Sequence, residues 1–153
     1  VYLVQNFNFT QFNTGNFFLY IGVLLIIGQG FIVSRLFSKT TEEKVMPFTL
    51  FMTGLFVFLQ PVMTTLIPFM IAVTLFSLNN SVTQIALNTL VSNKASGKDQ
   101  GLALGTNQSV RALGNAIPSM LSGVAAAAFD PSAPLIIAGL LIMATATAYK
   151  LTD

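Results

Sequence analysis

Five long apolar stretches, separated by short polar segments, constrain this chain more than any other feature of its sequence. They cover about residues 16–37, 46–61, 66–91, 102–129 and 134–149. A membrane-spanning helix needs roughly 20 apolar residues, with a range of about 17–25. Hydrophobic residues make up 54% of the chain and charged residues 8%, whereas soluble domains carry roughly 25% charged residues. We therefore predict an all-α, polytopic membrane helix bundle with five transmembrane helices, forming a single domain over residues 1–153.

The segments between these stretches have the composition of loops. They cover residues 38–44, 60–65, 92–101 and 130–134 and are rich in Ser, Thr, Asn, Gly, Pro and charged residues. Pro47 is predicted to lie in the first turn of the second helix, where the missing N–H of proline has no intrahelical partner to lose.

The positions of the basic residues predict the orientation of the bundle. Six of the seven fall on one side: Arg35, Lys39, Lys44, Lys94, Lys98 and Lys150. Under the positive-inside rule that side, with the C-terminus, is cytoplasmic, and the plasma (inner) membrane is the expected location. Residues 1–12 then lie at the opposite interface. Because the positive charge marks topology, no nucleic-acid partner is expected.

Several residue types that carry chemistry are missing from the sequence. It has no Cys and no His, and its five acidic residues fall in the predicted loops or at the C-terminal end. The usual ligands of soft metals and the usual neutral-pH acid–base group are therefore absent. We predict no catalytic, cofactor or metal site, and a protein that is not an enzyme.

The third stretch carries a polar face. At about 100° per residue, Ser77, Asn80, Ser81, Gln84 and Asn88 fall on one side of the helix. Unpaired polar groups in hydrocarbon cost several kcal/mol, so these side chains need partners or water. A hydrogen-bonded helix–helix seam and a water-filled cavity both satisfy that need, and both interpretations stay open.

The fourth stretch repeats this pattern and adds a charge. One face carries Asn107, Gln108, Arg111, Asn115, Pro118 and Ser122, and Arg111 is the only charged side chain far from the ends of a predicted span. Such residues are rare in membrane helices and usually functional. The alternative is that Arg111 reaches the interface by snorkelling.

The other three stretches differ from these two. The second and fifth are apolar on nearly all sides and are predicted to contact lipid. The first has Gly15, Gly22 and Gln29 on one stripe at a seven-residue spacing, and small residues at this spacing predict tight contact with another helix.

The first basic loop has a recognisable motif. Gly30, Arg35 and Lys39 match the loop signature of the major facilitator superfamily, in which a glycine is followed after three residues by Asp-Arg and later by a further basic residue. Ser34 replaces the Asp and Ser38 replaces a later Gly, so this loop resembles the degraded second copy of the signature, which follows the eighth helix.

A longer segment supports the same resemblance. Residues 84–114 resemble the tenth-to-eleventh helix region of drug–proton antiporters in that superfamily, and the run from Gly114 to Gly123, which contains Pro118, is similar to their Gly-Pro…Gly packing motif. The resemblance implies that the five spans are helices eight to twelve, a partial C-terminal half of the fold in which helices nine and twelve are peripheral. The first residue is Val, and we expect the N-terminal helices of the same protein to be the missing partner.

The resulting functional prediction is a secondary transporter that works by alternating access. The resemblance implies export of drug-like small molecules coupled to protons, without a cofactor. Alternatives are a structural subunit of a membrane complex and the non-catalytic part of a membrane-embedded enzyme. The predicted lining of the transport path is Ser77, Asn80, Gln84, Asn88, Gln108, Arg111 and Asn115.

Overall fold

A computed structural model of the chain describes residues 2–95, 97–128 and 132–152. Side-chain surroundings at 118–119, 121–128 and 151–152 are not part of that description. The predicted end of the fourth span at Phe129, the loop at Asp130 and Pro131, and the packing roles of Pro118 and Gly123 lie outside the described residues.

The described chain is built from helices and the turns that connect them, so the predicted all-α fold class is confirmed. A π-helical segment, Gly28–Ile32, joins α2 and α3 into one continuous helix, Gln11–Phe37. A short 3₁₀ turn, Gln60–Val62, follows α4. The α-helices are α1 (Tyr2–Phe7), α2 (Gln11–Ile27), α3 (Val33–Phe37), α4 (Glu42–Leu59), α5 (Leu66–Lys94), α6 (Gln100–Ala128) and α7 (Ala133–Thr152).

Four of the five long helical segments within the described residues are both long and apolar enough to cross a membrane. They are Gln11–Phe37, Glu42–Val62, Leu66–Lys94 and Ala133–Lys150. The fifth, α6, has 29 residues and is therefore long enough. It is not among the four because its first half carries several amides and a guanidinium, the same side chains that form its predicted polar face.

Helix α4 begins earlier than its apolar pattern indicated. Its first turn contains Glu42 and Glu43, which the sequence had placed in the loop. Carboxylates are favourable there because the helix N-terminus carries partial positive charge. As a consequence Pro47 lies inside the helix, beyond the first turn, and its predicted position was wrong.

The helices surround α5, which contacts α2, the π-helical segment, α4 and α6. The closest helix pair is α4 and α7. A Cβ atom added at Gly54 would lie 2.9 Å from the Met143 amide nitrogen, and one added at Gly139 would lie 2.7 Å from the Phe58 amide nitrogen. Each glycine therefore lets the backbone of the partner helix approach to a distance that no other residue would allow.

This packing corrects the predicted role of the glycines in the first span. Cβ atoms added at Gly15 and Gly22 would meet no described atom within 4 Å, and the same holds for Gly114 in α6. The close glycine in this helix is Gly28, whose added Cβ would lie 2.7 Å from Ser81 Oγ. Among the described helices, the seven-residue spacing therefore does not identify the close contact of this helix, because it marks a stripe and not the partner that covers it.

The helices α4 and α7 were predicted to contact lipid on nearly all sides. In the structure, only one side of each helix is an exposed apolar surface. Phe48 on α4 and Leu141 on α7 are more than 60% exposed. On the opposite side of α4, Thr49 and Thr53 are buried, and their hydroxyl groups donate to backbone carbonyls within the helix. Satisfied in this way, a threonine can enter an apolar interface without an unpaired hydroxyl.

The N-terminal segment packs at the end of the bundle opposite the basic loops. Its chain turns at Asn8, which has φ 53°, a left-handed conformation that asparagine tolerates better than most residues. The hydroxyl of Tyr2 donates to the Gln60 carbonyl oxygen at 3.2 Å. The ring of Phe7 lies 4.9 Å from that of Phe69, centroid to centroid. These contacts hold α1 against the turn between α4 and α5.

Candidate functional site

The candidate site lies between α5 and α6, where two amide side chains meet. The Nδ2 group of Asn107 donates a hydrogen bond to Oδ1 of Asn88 at 3.0 Å, and both residues are partly buried. The helices are joined by a short connection after Lys94, so they run antiparallel. This hydrogen bond therefore sets their relative register.

The remaining predicted residues follow from that register at one-turn intervals. Gln84 precedes Asn88 by four residues and Arg111 follows Asn107 by four, so both lie about 6 Å deeper along their helices. Asn80 and Asn115 stand one further turn along. The two helices thus each carry a polar side chain at three successive levels: Asn88 and Asn107, Gln84 and Arg111, and Asn80 and Asn115.

Exposure differs along the two polar faces. Asn80, Gln84, Asn88 and Arg111 are partly buried, whereas Gln108 and Asn115 are exposed. The α5 side of the site is therefore held within the bundle, while the α6 side is open in the described part of the chain.

Few of these polar groups find protein partners. Among the described residues, the side chains of Asn80, Gln84, Gln108 and Arg111 have no hydrogen-bond partner. In an apolar surrounding each such group would cost several kcal/mol, and an arginine charge would cost more. The surface between α5 and α6 therefore needs water, a polar ligand or further protein to face it.

Ser77 lies away from this surface. It is fully buried, as is Ser81, whose hydroxyl donates to the Ser77 carbonyl oxygen at 2.9 Å. Ser81 also contacts Gly28, so this side of α5 packs against the π-helical segment. The structure thus does not bring Ser77 together with the other predicted path residues, and the Ser77 hydroxyl has no partner among the described residues.

Two residues of the loop motif, Gly30 and Arg35, lie on the neighbouring helix, and Lys39 lies in the turn that follows it. Gly30 is inside the π-helical segment, and its carbonyl accepts a hydrogen bond from the Ser34 hydroxyl at 3.0 Å. Arg35 is in the last turn of α3, where a cation is favourable because the helix C-terminus carries partial negative charge. Both Arg35 and Lys39 are exposed. They mark the basic end of the bundle and do not join the polar surface between α5 and α6.

Sequence reasoning did not anticipate two features near the site. Asn107 was placed on the polar face but not among the path residues, although it makes the described side-chain-to-side-chain hydrogen bond between α5 and α6. The π-helical segment was not predicted at all. Such segments are often found at functional sites, but a π-turn keeps helical dihedrals and leaves no pattern in composition; Gly28 and Gly30 were the available signal.

A second polar contact connects α2 to α5 at the opposite end of the bundle. The hydroxyl groups of Tyr20 and Thr74 are 2.6 Å apart. Tyr20, together with Asn16 and Asn13, also lines a cavity of about 410 Å³ beside Phe17 and Met70. Polar side chains of the first long helix therefore face this cavity.

Comparison with known proteins identifies the family. The family model of the Major Facilitator Superfamily matches residues 1–153. No curated protein and no solved structure matches the chain. Because the match covers the whole sequence, the chain belongs to the Major Facilitator Superfamily, and it is a multi-pass membrane protein of a family of transporters.

Proposed function

We propose that this member of the superfamily exports drug-like small molecules by alternating access, and that the surface between α5 and α6 lines part of the transport path. The observation that carries the proposal is the pair of matched polar faces joined by the Asn88–Asn107 hydrogen bond. A static seam would pair its amides with one another. Here four polar side chains remain without a partner in the described chain, which favours a surface that meets water and substrate.

The residues assigned to this path are those on the two polar faces. They are Asn80, Gln84, Asn88, Asn107, Gln108, Arg111 and Asn115. Amides suit a path that accepts varied polar groups, because each offers both a donor and an acceptor without a fixed charge. Arg111 lies at the middle level, where its guanidinium can donate hydrogen bonds to water in the path.

Coupling to protons is the further part of the proposal. Arginine does not release its proton in proteins, and the acidic residues that the structure describes lie at the basic end of the bundle: Glu42 and Glu43 in the first turn of α4, and Asp99 in the turn before α6. The coupling carboxylate would therefore lie in the helices that precede this segment. On this proposal the five long helical segments correspond to helices eight to twelve, and the basic end of the bundle faces the cytoplasm of a cell whose plasma membrane holds the protein.

The test is transport by the full-length protein, with ethidium as the probe. We expect Q84L and N88L each to raise KM for ethidium efflux by about two- to tenfold, the range for loss of one neutral hydrogen bond. N79L is the matched control, because Asn79 is next to Asn80 but donates its amide to the Leu75 carbonyl oxygen of its own helix. If Q84L and N88L leave the efflux kinetics unchanged at equal expression, the path assignment is wrong.

Proton coupling has a separate measurement. In cells or proteoliposomes with an imposed pH gradient, a protonophore should abolish ethidium export against its concentration gradient. Efflux that continues after the pH gradient has collapsed, in a membrane without another ion gradient, contradicts the coupling while leaving the path assignment intact.

A further inference from the structure

The basic end of the α4–α7 pair holds a cavity that the transport proposal does not use. It lies between the first two turns of α4 and the last turns of α7 and has a volume of about 420 Å³. Lys44 of α4 and Lys150 of α7 both line this cavity. Its walls are mainly apolar and include Pro47, Phe48, Phe51 and Ala146.

A second cavity lies on the other side of α4 at the same end of the bundle. Its volume is about 470 Å³, and Lys44 and Phe48 line it as well. The other walls come from the first helix and from α5 and are mostly apolar, among them Ile32, Leu36, Leu75, Leu78 and Val82. Phe48, which is 64% exposed, therefore separates two mainly apolar cavities. Lys44 lines both of them.

We propose that this end of α4 binds one anionic diacyl phospholipid. Its phosphate would lie between Lys44 and Lys150, and its two acyl chains would occupy the cavities on either side of Phe48. The inference goes beyond the transport proposal and rests only on the chain being embedded in a membrane.

Charge complementarity favours this occupant over a zwitterionic lipid. Both lysines are exposed, and each Lys near an anionic headgroup contributes about 1 kcal/mol. The nearby carboxylates of Glu42 and Glu43 line neither cavity. The division of the apolar surface by Phe48 matches a ligand with two chains, and burial of each chain adds about 0.8 kcal/mol per CH₂.

The experiment is native mass spectrometry of the full-length protein released from detergent after incubation with equal amounts of phosphatidylglycerol and phosphatidylcholine. For the wild type we expect phosphatidylglycerol adducts to exceed phosphatidylcholine adducts. In K44Q/K150Q this ratio should fall by about fivefold for each lysine removed. K44R/K150R keeps the charge and should keep the ratio, which separates loss of the site from loss of the fold.

The matched control is K94Q/K98Q, which removes two exposed lysines from the end of α5 and the following loop. This variant makes the same change in net charge at the same end of the bundle and should retain the wild-type ratio. An equal fall in both double variants would mean that only net charge matters, and an unchanged ratio in K44Q/K150Q would mean that the cavity does not select anionic lipid. A dimer without lipid adducts would assign the surface to a second copy of the chain. Each of these results overturns the proposal.

Discussion

Two pairs of antiparallel helices in this bundle are built in different ways. In the α4–α7 pair, glycines bring one backbone against the other, so that a Cβ at Gly139 would lie 2.7 Å from the Phe58 nitrogen. In the α5–α6 pair, the described side-chain hydrogen bonds lie near the connecting loop: Asn107 donates to Asn88 Oδ1, and Gln100 donates to the Ser92 carbonyl oxygen. Cβ atoms added at Gly105 and Gly114 of α6 would meet no described atom within 4 Å.

The difference indicates which pair acts as a fixed unit. Helices in a bilayer gain little from the hydrophobic effect between them, and close van der Waals packing over small residues is a main source of their association. The α4–α7 pair has that packing. Over the described side chains, the α5–α6 pair shows no such glycine contact and presents polar groups without a hydrogen-bond partner, so this part of α6 depends on water, ligand or other helices for a complete environment. We infer that rearrangement during transport would involve the α5–α6 surface before the α4–α7 interface.

The largest effect on this comparison is expected from adding one methyl group to the closely packed α4–α7 pair. G139A should lower the stability of the full-length protein in detergent by about 1–3 kcal/mol, the usual effect of overpacking, because the new Cβ would overlap the Phe58 backbone. A change of side-chain rotamer cannot relieve this overlap, since the nearest atoms are the nitrogen, Cα and Cβ of Phe58, which move only with the main chain. Thermal unfolding followed by size-exclusion chromatography measures the loss.

G22A is the control for that prediction. Gly22 also lies inside a long helix, but its added Cβ meets open space among the described residues. Replacing a mid-helix glycine by alanine then stabilises by about 0.5–1 kcal/mol. Equal effects of G139A and G22A would show that the α4–α7 contact is no closer than the rest of the bundle.

The sequence was informative about the elements and less informative about which faces meet. Long apolar stretches identified the helices, because a membrane admits few other structures for such a sequence. The glycine stripe of Gly15 and Gly22 failed, whereas Gly54 and Gly139, one in each of the two apolar helices, make the close contact. The sequence does not show whether a glycine lies at a helix interface or faces outward, because that depends on the neighbouring helix. Tertiary packing decides which helix that is.

The candidate site was predictable to a similar extent. Periodicity alone placed Asn80, Gln84 and Asn88 on one face and Arg111 on another, and the structure puts these faces on neighbouring helices. The same periodicity grouped Ser77 with them, although Ser77 is fully buried beside Ser81 and the π-helical segment. Small hydroxyl residues satisfy either environment, since a serine packs against glycine as readily as it faces water. A helical wheel therefore cannot separate the two sides of α5 at that position.

The two sides of α5 provide a second test of the comparison. The Ser77 hydroxyl is buried and has no partner among the described residues, so S77A should raise stability by about 1 kcal/mol by removing an unsatisfied polar group. S81A is the matched substitution, because its hydroxyl donates to the Ser77 carbonyl oxygen, and it should leave stability unchanged or lower it. Thermal unfolding of S77A and S81A measures both changes in stability. A loss of stability in S77A as large as that in S81A would mean that the Ser77 hydroxyl is hydrogen-bonded, and that this side of α5 is polar as well as packed.

The smallest expected effect belongs to the Asn88–Asn107 hydrogen bond. A double-mutant cycle with N88A, N107A and the combined variant isolates its coupling energy, which should be about 0.6 kcal/mol, the average for side-chain hydrogen bonds between membrane helices. Such a weak bond can set register and still release when the path opens, whereas a coupling of several kcal/mol would hold α5 and α6 together as firmly as α4 and α7. The cycle is measured by unfolding in detergent, and the same variants are compared in ethidium efflux. A coupling energy of several kcal/mol, together with ethidium efflux unaffected by N107A, would mean that α5 and α6 are held as firmly as α4 and α7. The inference that the α5–α6 surface rearranges first would then be wrong.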